Sequence, residues 1–317
     1  MPETAFTDLV GCRVPIQQAP MGGISSPELA VAVATAGGVG TIAAMGLSPE
    51  QVVALSERMR AQTDGVLAAN FLTADIDPDA VDAAASRLQI VDFFWRDPDA
   101  ALVRRAHAGG ALVLWQVGSV AEARAAVEAG ADVVAVQGAE AGGHVRGRGA
   151  LLPLLSAVLD EVPVPVLAAG GIATARGVDA ALAAGASGVR VGTRFIASTE
   201  SGAHPDYVAA LLAAGPDSTE VTDGFAECPL CASVPRARVL SSAVEAVDRL
   251  AAEHVGSVER GGERVWLPRR AGLPPDRGVR GQVEAMALYA GEGVGSIADV
   301  LPAAEIIKTL LPRDFRH

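Results

Sequence analysis

The sequence predicts an α/β fold, a (β/α)8 TIM barrel with a smaller helical, loop-rich accessory domain, and three observations predict it. One unit recurs: an alanine-rich stretch, an Ala-Gly-Gly or Ala-Gly-Ala stop, then a short apolar run. It appears as Ala36-Gly37-Gly38 before Val39, Ala108-Gly109-Gly110 before Ala111, Ala129-Gly130-Ala131 before Asp132 and Ala184-Gly185-Ala186 before Gly188. Glycine at a helix end takes the left-handed conformation that stops it. The apolar runs also lack the alternation of half-exposed strands, so they read as strands buried on both faces of a parallel sheet. Finally, eight such units fit into about 200 residues, which is the arithmetic of a closed barrel. An open doubly wound sheet would carry G-x-G-x-x-G after its first strand, and this chain does not.

In order, strands are expected at residues 16–18, 39–43, 66–70, 90–94, 112–116, 133–136, 164–168 and 188–191. Helices fit between them at residues 27–35, 49–61, 98–108, 121–128, 151–160 and 175–183, several with proline near the start, where its missing N–H costs nothing. The regular repeat stops near Pro205. Residues 205–282, rich in proline, glycine and scattered arginine, read as a smaller substrate-side segment over the barrel mouth, and residues 1–204 with 283–317 as the barrel. A helical pattern over residues 302–311 should dock back on the barrel.

Composition narrows the function. The 317 residues carry a net charge of −12, which argues against nucleic acid or an anionic membrane as partner. No apolar run approaches the roughly 20 residues of a membrane span. The N-terminal stretch has Glu3 and Asp8 and no basic start, unlike a signal peptide, so a cytoplasmic location is expected. Lys308 is the only lysine, which removes Schiff-base chemistry and a P-loop lysine. Cys228 and Cys231 form a lone C-x-x-C; with Cys12 the only other cysteine, no second pair exists for zinc, and no metal is expected.

The working face of such a barrel is the C-terminal end of its strands. There the sequence places Pro20-Met21-Gly22-Gly23, Asn70, Trp115-Gln116, the loop Gln137 to His144, Ala169-Gly170-Gly171, and Gly192-Thr193. The last two loops follow strands seven and eight, where barrels commonly bind phosphate: glycine lets backbone N–H groups approach an anion at a helix start. His144, on a loop after two glycines, is the candidate acid/base because imidazole titrates near neutrality. Glu140 is read either as its orienting partner or as a solvated acid, and Arg146 and Arg148 as anion attractors or solvated side chains. Trp95 and Trp115 either flank a flat ring or substrate, or belong to the core or the pocket wall.

The stretches Gln18-Ala19-Pro20-Met21-Gly22-Gly23, Gln137-Gly138-Ala139-Glu140-Ala141-Gly142-Gly143-His144, Ala168-Ala169-Gly170-Gly171-Ile172, Val191-Gly192-Thr193-Arg194-Phe195 and Ala287-Leu288-Tyr289-Ala290-Gly291-Glu292-Gly293 resemble the nitronate monooxygenase (2-nitropropane dioxygenase) family in matching order. The resemblance implies FMN as cofactor. Pro20, Met21 and Gly22 would border its ring, Asn70 and Gln116 would hydrogen-bond it, and Gln137 and Gly142 would touch it. Gly171, Gly192 and Thr193 would hold the phosphate, with Ala169 and Gly170 in the same loop, and Arg190 would reach the phosphate or ribityl chain. His144 matches the family's base. The implied reaction is oxidation of alkyl nitronates by O2 to a carbonyl compound and nitrite. The chain departs from the family at residues 91–98 and 113–117, on the expected substrate side. Rival readings are an NAD(P)H-dependent FMN reductase of the same superfamily, acting on an enoyl thioester or a quinone, and a non-catalytic barrel that binds a phosphorylated metabolite.

Overall fold

The computed structural model describes residues 3–72, 76–227 and 235–312. Eight parallel strands close into a barrel: β1 Ile16–Gln18, β2 Val39–Ala43, β3 Val66–Leu72, β4 Ile90–Phe94, β5 Leu112–Val117, β6 Val133–Gln137, β7 Val166–Ala169 and β8 Gly188–Val191. Pairing of β1 with β8, Gln17 opposite Arg190, shuts the cylinder. All eight lie where the apolar runs place them. The seventh begins at Val166 rather than residue 164, because Pro165 has no N–H to give to a ladder.

The expected helix stops are present. Gly37, Gly110, Gly130 and Gly185 all have φ between 90° and 103°, each just before the next strand. A helix that the sequence reading did not place, Pro78–Ala85, bridges β3 and β4; Asp77 caps it by accepting from Asp79 N–H at 2.9 Å. A short N-terminal helix, Ala5–Val10, plugs the barrel floor. Its Phe6 is fully buried among Val39, Val66, Ile90, Leu114 and Leu167, which point into the barrel. The last helix, Ala303–Leu310, buries Ile306, Ile307 and Leu310 and packs against helices Pro27–Thr35 and Ala175–Ala183.

Beyond β8 the chain builds a second apolar core from Tyr207, Leu211, Phe225, Val239, Val247 and Leu288, joined by Ile24 and Ile196. It contains helices Pro205–Ala213 and Ser241–Arg249 and, besides these, two small sheets. In one, Thr219–Thr222 pairs with Ala237–Leu240, which pairs in turn with the two-residue strand Gly143–His144. In the other, His254–Arg260 pairs with Glu263–Pro268 and Arg280–Gly281. The Cys228/Cys231 pair lies outside the described residues. No described helix is long and apolar enough to cross a membrane.

Candidate active site

A cavity of about 850 Å3 opens at the C-terminal ends of the barrel strands, between them and the second core. The histidine and the glycine-loop, amide and arginine residues expected to hold the cofactor all lie on its wall, as does Trp95, whereas Trp115 is buried in the core against Phe93. The loop after β1 contributes Pro20, Met21 and Gly22; β3 and β5 contribute Asn70 and Gln116; β6 and its loop contribute Gln137, Gly142 and His144. The ends of β7 and β8 contribute Ala169, Gly170, Gly171, Arg190, Gly192 and Thr193.

The β7 and β8 ends form a backbone cradle. Gly170 and Gly171 have φ of 123° and 67°, a region that costs any side chain-bearing residue about 1–2 kcal/mol. Among the described residues, the N–H groups of Gly171, Gly192 and Thr193 donate to no internal acceptor. Space is tight behind them: a Cβ on Gly293 would stand 2.6 Å from the Gly171 carbonyl oxygen. Unspent N–H groups on three residues of one cavity wall suit an oxyanion such as a phosphate.

The cavity floor is polar and tightly ordered. Arg190, 3% exposed, sends Nε to Gln17 Oε1 at 3.1 Å, one Nη to Gln116 Oε1 at 2.6 Å and the other to Asp92 Oδ1 at 2.9 Å. Asn70 donates Nδ2 to Asp92 Oδ2 at 3.1 Å and to the Asp92 carbonyl oxygen at 3.3 Å. Burial pushes the fully buried Asp92 carboxyl up, and the neighbouring Arg190 charge pulls it back. Asn70 Oδ1 is buried with no internal partner. An orphaned acceptor on a cavity wall is what a ligand N–H would satisfy, so cradle and floor together fit a flavin with its phosphate at one end and its ring at the other. Arg190, expected to reach the phosphate or ribityl chain, lines the cavity with Nε and both Nη atoms already engaged by Gln17, Gln116 and Asp92.

His144 stands opposite the floor. Its backbone is pinned from both sides: Gln137 Nε2 donates to its carbonyl oxygen at 2.9 Å, and its short strand pairs with Ala237 and Arg238. The other end of the Gln137 amide accepts from Arg146 N–H at 3.2 Å, so this glutamine braces the loop as well as lining the cavity. Gly142 must be glycine: a Cβ there would meet Gly291 N at 2.5 Å. Tyr289 Oη lies 3.1 Å from His144 Nε2 and donates to the Gly272 carbonyl oxygen at 2.9 Å. Burial raises the Tyr289 pKa, so it stays a phenol with a single proton. That proton serves Gly272, which leaves Oη to accept an N–H from His144 Nε2. Trp95 packs against the imidazole at 4.1 Å between ring centres, near edge-on.

Glu140 and Arg146 are corrected. The Glu140 carboxylate accepts from Leu151 N–H at 2.9 and 3.0 Å and so caps the helix Leu151–Leu159, whose own N-cap, Ala150, has no side-chain acceptor. It does not orient His144. Arg146 binds Glu122 at 2.7 Å, Asp97 at 2.6 Å and the Trp95 carbonyl oxygen at 3.0 Å, so it is a clamp rather than an anion attractor. What it clamps is strained: Trp95 has φ of 84°, far outside the range bulky side chains prefer. Sequence reasoning missed Tyr289 and Asp92 as site residues. Asp92 and Arg190 each interrupt an otherwise apolar strand, a signal that could have paired them.

The comparisons with known proteins agree with this geometry. The family model described as nitronate monooxygenase matches residues 3–85 and 68–313. A Mycobacterium tuberculosis protein named (3aS,4S,5R,7aS)-5-hydroxy-7a-methyl-1-oxo-octahydro-1H-indene-4-carboxyl-CoA dehydrogenase is 31% identical, the alignment spanning 99% of this chain and 96% of that one. Its Rhodococcus jostii namesake is 36% identical, over 69% of this chain and 62% of that protein. A nitronate monooxygenase of Pseudomonas aeruginosa is 31% identical, over 96% of this chain and 97% of its own. Among solved structures, FabK from Thermotoga maritima superposes with a TM-score of 0.78 at 28% identity, covering 98% of this chain and 95% of that one. With its family model matched along nearly the whole length and its barrel, glycine cradle and loop histidine in one cavity, the chain belongs to the nitronate monooxygenase family of flavin-dependent oxidoreductases.

Proposed function

We propose that the chain binds FMN across the cradle and floor and oxidises alkyl nitronates with O2 to a carbonyl compound and nitrite, His144 moving the proton. The observation that carries this is the placement of His144 on the same cavity as the Gly171–Thr193 cradle and the Asn70–Gln116 floor. Bound flavin supplies the electron transfer. The chain's own residues do the rest. The cradle N–H groups fix the phosphate, the two floor amides fix the ring, and His144 takes the α-proton of a neutral nitroalkane or steadies a nitronate's charge. Tyr289, through its contact at Nε2, keeps the imidazole facing the cavity.

A second reading has its own observation. The cavity runs past His144 to the hairpin of His254–Arg260 and Glu263–Pro268, where Trp266 and Val265 are exposed, and to the exposed Met45. That apolar vestibule exceeds the needs of a small nitronate and suits a bulky acyl thioester, the substrate type in the name of the M. tuberculosis relative. An anaerobic titration separates the two. The flavin-loaded protein is mixed in turn with ethylnitronate, NADH, NADPH and an alicyclic acyl-CoA while its absorbance near 450 nm is followed. Bleaching by the nitronate, with nitrite formed on admitting air, supports the first reading. Bleaching by NADH or the acyl-CoA with an inert nitronate overturns it.

A further inference from the structure

We infer that Arg190 and Asp92 are a positioning pair that sets which end of two amides faces the ring site: Gln116 is made to present N–H2 and Asn70 to present its oxygen. The inference rests on the flavin reading above and specifies what the floor recognises.

The argument is one of donors and acceptors. Guanidinium can only donate. Held 2.6 Å from the Gln116 side chain, Arg190 therefore takes the amide oxygen and leaves the amide nitrogen for the cavity. Among the described residues that nitrogen has no hydrogen-bond partner, and Gln116 lines the cavity. A carboxylate and a backbone carbonyl can only accept. Placed 3.1 and 3.3 Å from the Asn70 amide, the two Asp92 oxygens take its nitrogen and leave Oδ1, buried and without an internal partner, on a residue that lines the cavity. Gln17 closes the set by accepting from Arg190 and donating to Thr41 Oγ1 at 3.2 Å. Arg190 is the only arginine or lysine among the described residues lining the cavity, so no other cation competes for these oxygens.

A floor that offers one donor, from Gln116, and one acceptor, from Asn70, suits a ring edge carrying both carbonyl and N–H groups, as in the pyrimidine half of an isoalloxazine. An uncharged lining would let both amides flip and lose that match.

The test uses wild type, Arg190→Lys, and the double variant Arg190→Gln/Asp92→Asn. The double variant avoids stranding one buried charge, which by itself threatens folding. Apo-protein is titrated with FMN and with riboflavin, following quenching of flavin fluorescence. In the double variant both affinities should fall roughly 30-fold, the worth of two modest hydrogen bonds, with the FMN-to-riboflavin ratio unchanged because the cradle is intact. Arg190→Lys keeps a donor-only cation and should stay within about threefold of wild type. A double variant that binds both flavins like wild type, or a lysine variant that loses as much as the double, would overturn the inference. Side-chain amide exchange in 15N-labelled apo-protein tests the orientation without any flavin. The Asn70 N–H2 should exchange slowly in wild type and faster in the double variant, and equal rates would overturn the claim. A wild type that takes up neither flavin defeats the proposed function instead, and the exchange result still decides the orientation.

Discussion

Replacing Gly171 by aspartate should strip the protein of FMN, and the size of the loss follows from two separable terms. Gly171 has φ of 67°, so any residue with a Cβ costs about 1–2 kcal/mol there. The new Cβ would also stand 3.2 Å from Glu140 Cβ, tight but movable. Alanine meets only these costs, and meets them whether or not flavin is bound. Aspartate adds a negative charge beside the N–H groups assigned to the phosphate. At about 5 Å and an effective dielectric of about 20, one pair of like charges repels by roughly 3 kcal/mol, or about 200-fold in affinity. Apo-protein titrated with FMN should therefore bind about 200-fold more weakly as Gly171→Asp than as Gly171→Ala. Riboflavin, which has no phosphate, should separate the two variants by less than about threefold. Equal FMN affinities for the aspartate and alanine variants would refute the placement of an anion at this cradle.

Three further outcomes follow from the site and its supports. His144→Asn should keep flavin affinity within a few-fold and lower turnover of neutral nitroalkanes by about 10²–10⁴, with a smaller loss on preformed nitronates; equal losses on both would remove the proton-transfer role. Arg146→Met removes two anchors of the Trp95 loop and their tie to Glu122, and should lower stability by about 1–3 kcal/mol in urea unfolding, with a changed near-ultraviolet circular dichroism from Trp95. An unaltered spectrum would mean the strained Trp95 backbone needs no clamp. Cys12 is buried, its thiol raised from 9.0 to about 12 by loss of solvation. The folded state thus holds this proton more tightly than the unfolded one. Its stabilising effect is complete below pH 9 and fades as pH climbs toward 12. In a Cys228→Ser/Cys231→Ser background, Ellman's reagent at pH 8 should label Cys12 only after denaturant is added; rapid labelling of native protein would show the thiol is accessible.

The barrel was legible because its signals are local. An Ala-Gly-Gly stop and an apolar run need only neighbouring residues, and both place the strand before any long-range contact is known. The cradle was legible for the same reason, since Gly170-Gly171 and Gly192-Thr193 combine turn chemistry with a position in the barrel order. Pairings across the cylinder were not legible. Arg190 and Asp92 are 98 residues apart, and only closure of the barrel shows that they pair. Glu140 was misjudged between two roles because its true one, capping Leu151, depends on how the loop folds back on the following helix. Tyr289 stood in a recognised stretch, yet nothing in its neighbours says that its hydroxyl meets an imidazole 145 positions earlier.

His144 is mounted on other elements than the cradle and the floor. The cradle and the floor sit on β3, β5, β7 and β8, where the closed ladder fixes each backbone and a shift of one strand would move all eight. His144 is held differently. Its short strand continues the sheet of Thr219–Thr222 and Ala237–Leu240, and its ring is met by Tyr289, itself tied to Gly272. All of these belong to the second core or border it, and the same segment reaches the glycine cradle through Gly291, whose N–H donates to Thr193 Oγ1 at 3.0 Å. Trp95 adds the opposite coupling. It is a barrel residue at the end of β4, forced into a left-handed backbone conformation so that its ring closes on His144. A strained aromatic from the barrel and a hydrogen-bonded phenol from the second core thus bracket one imidazole.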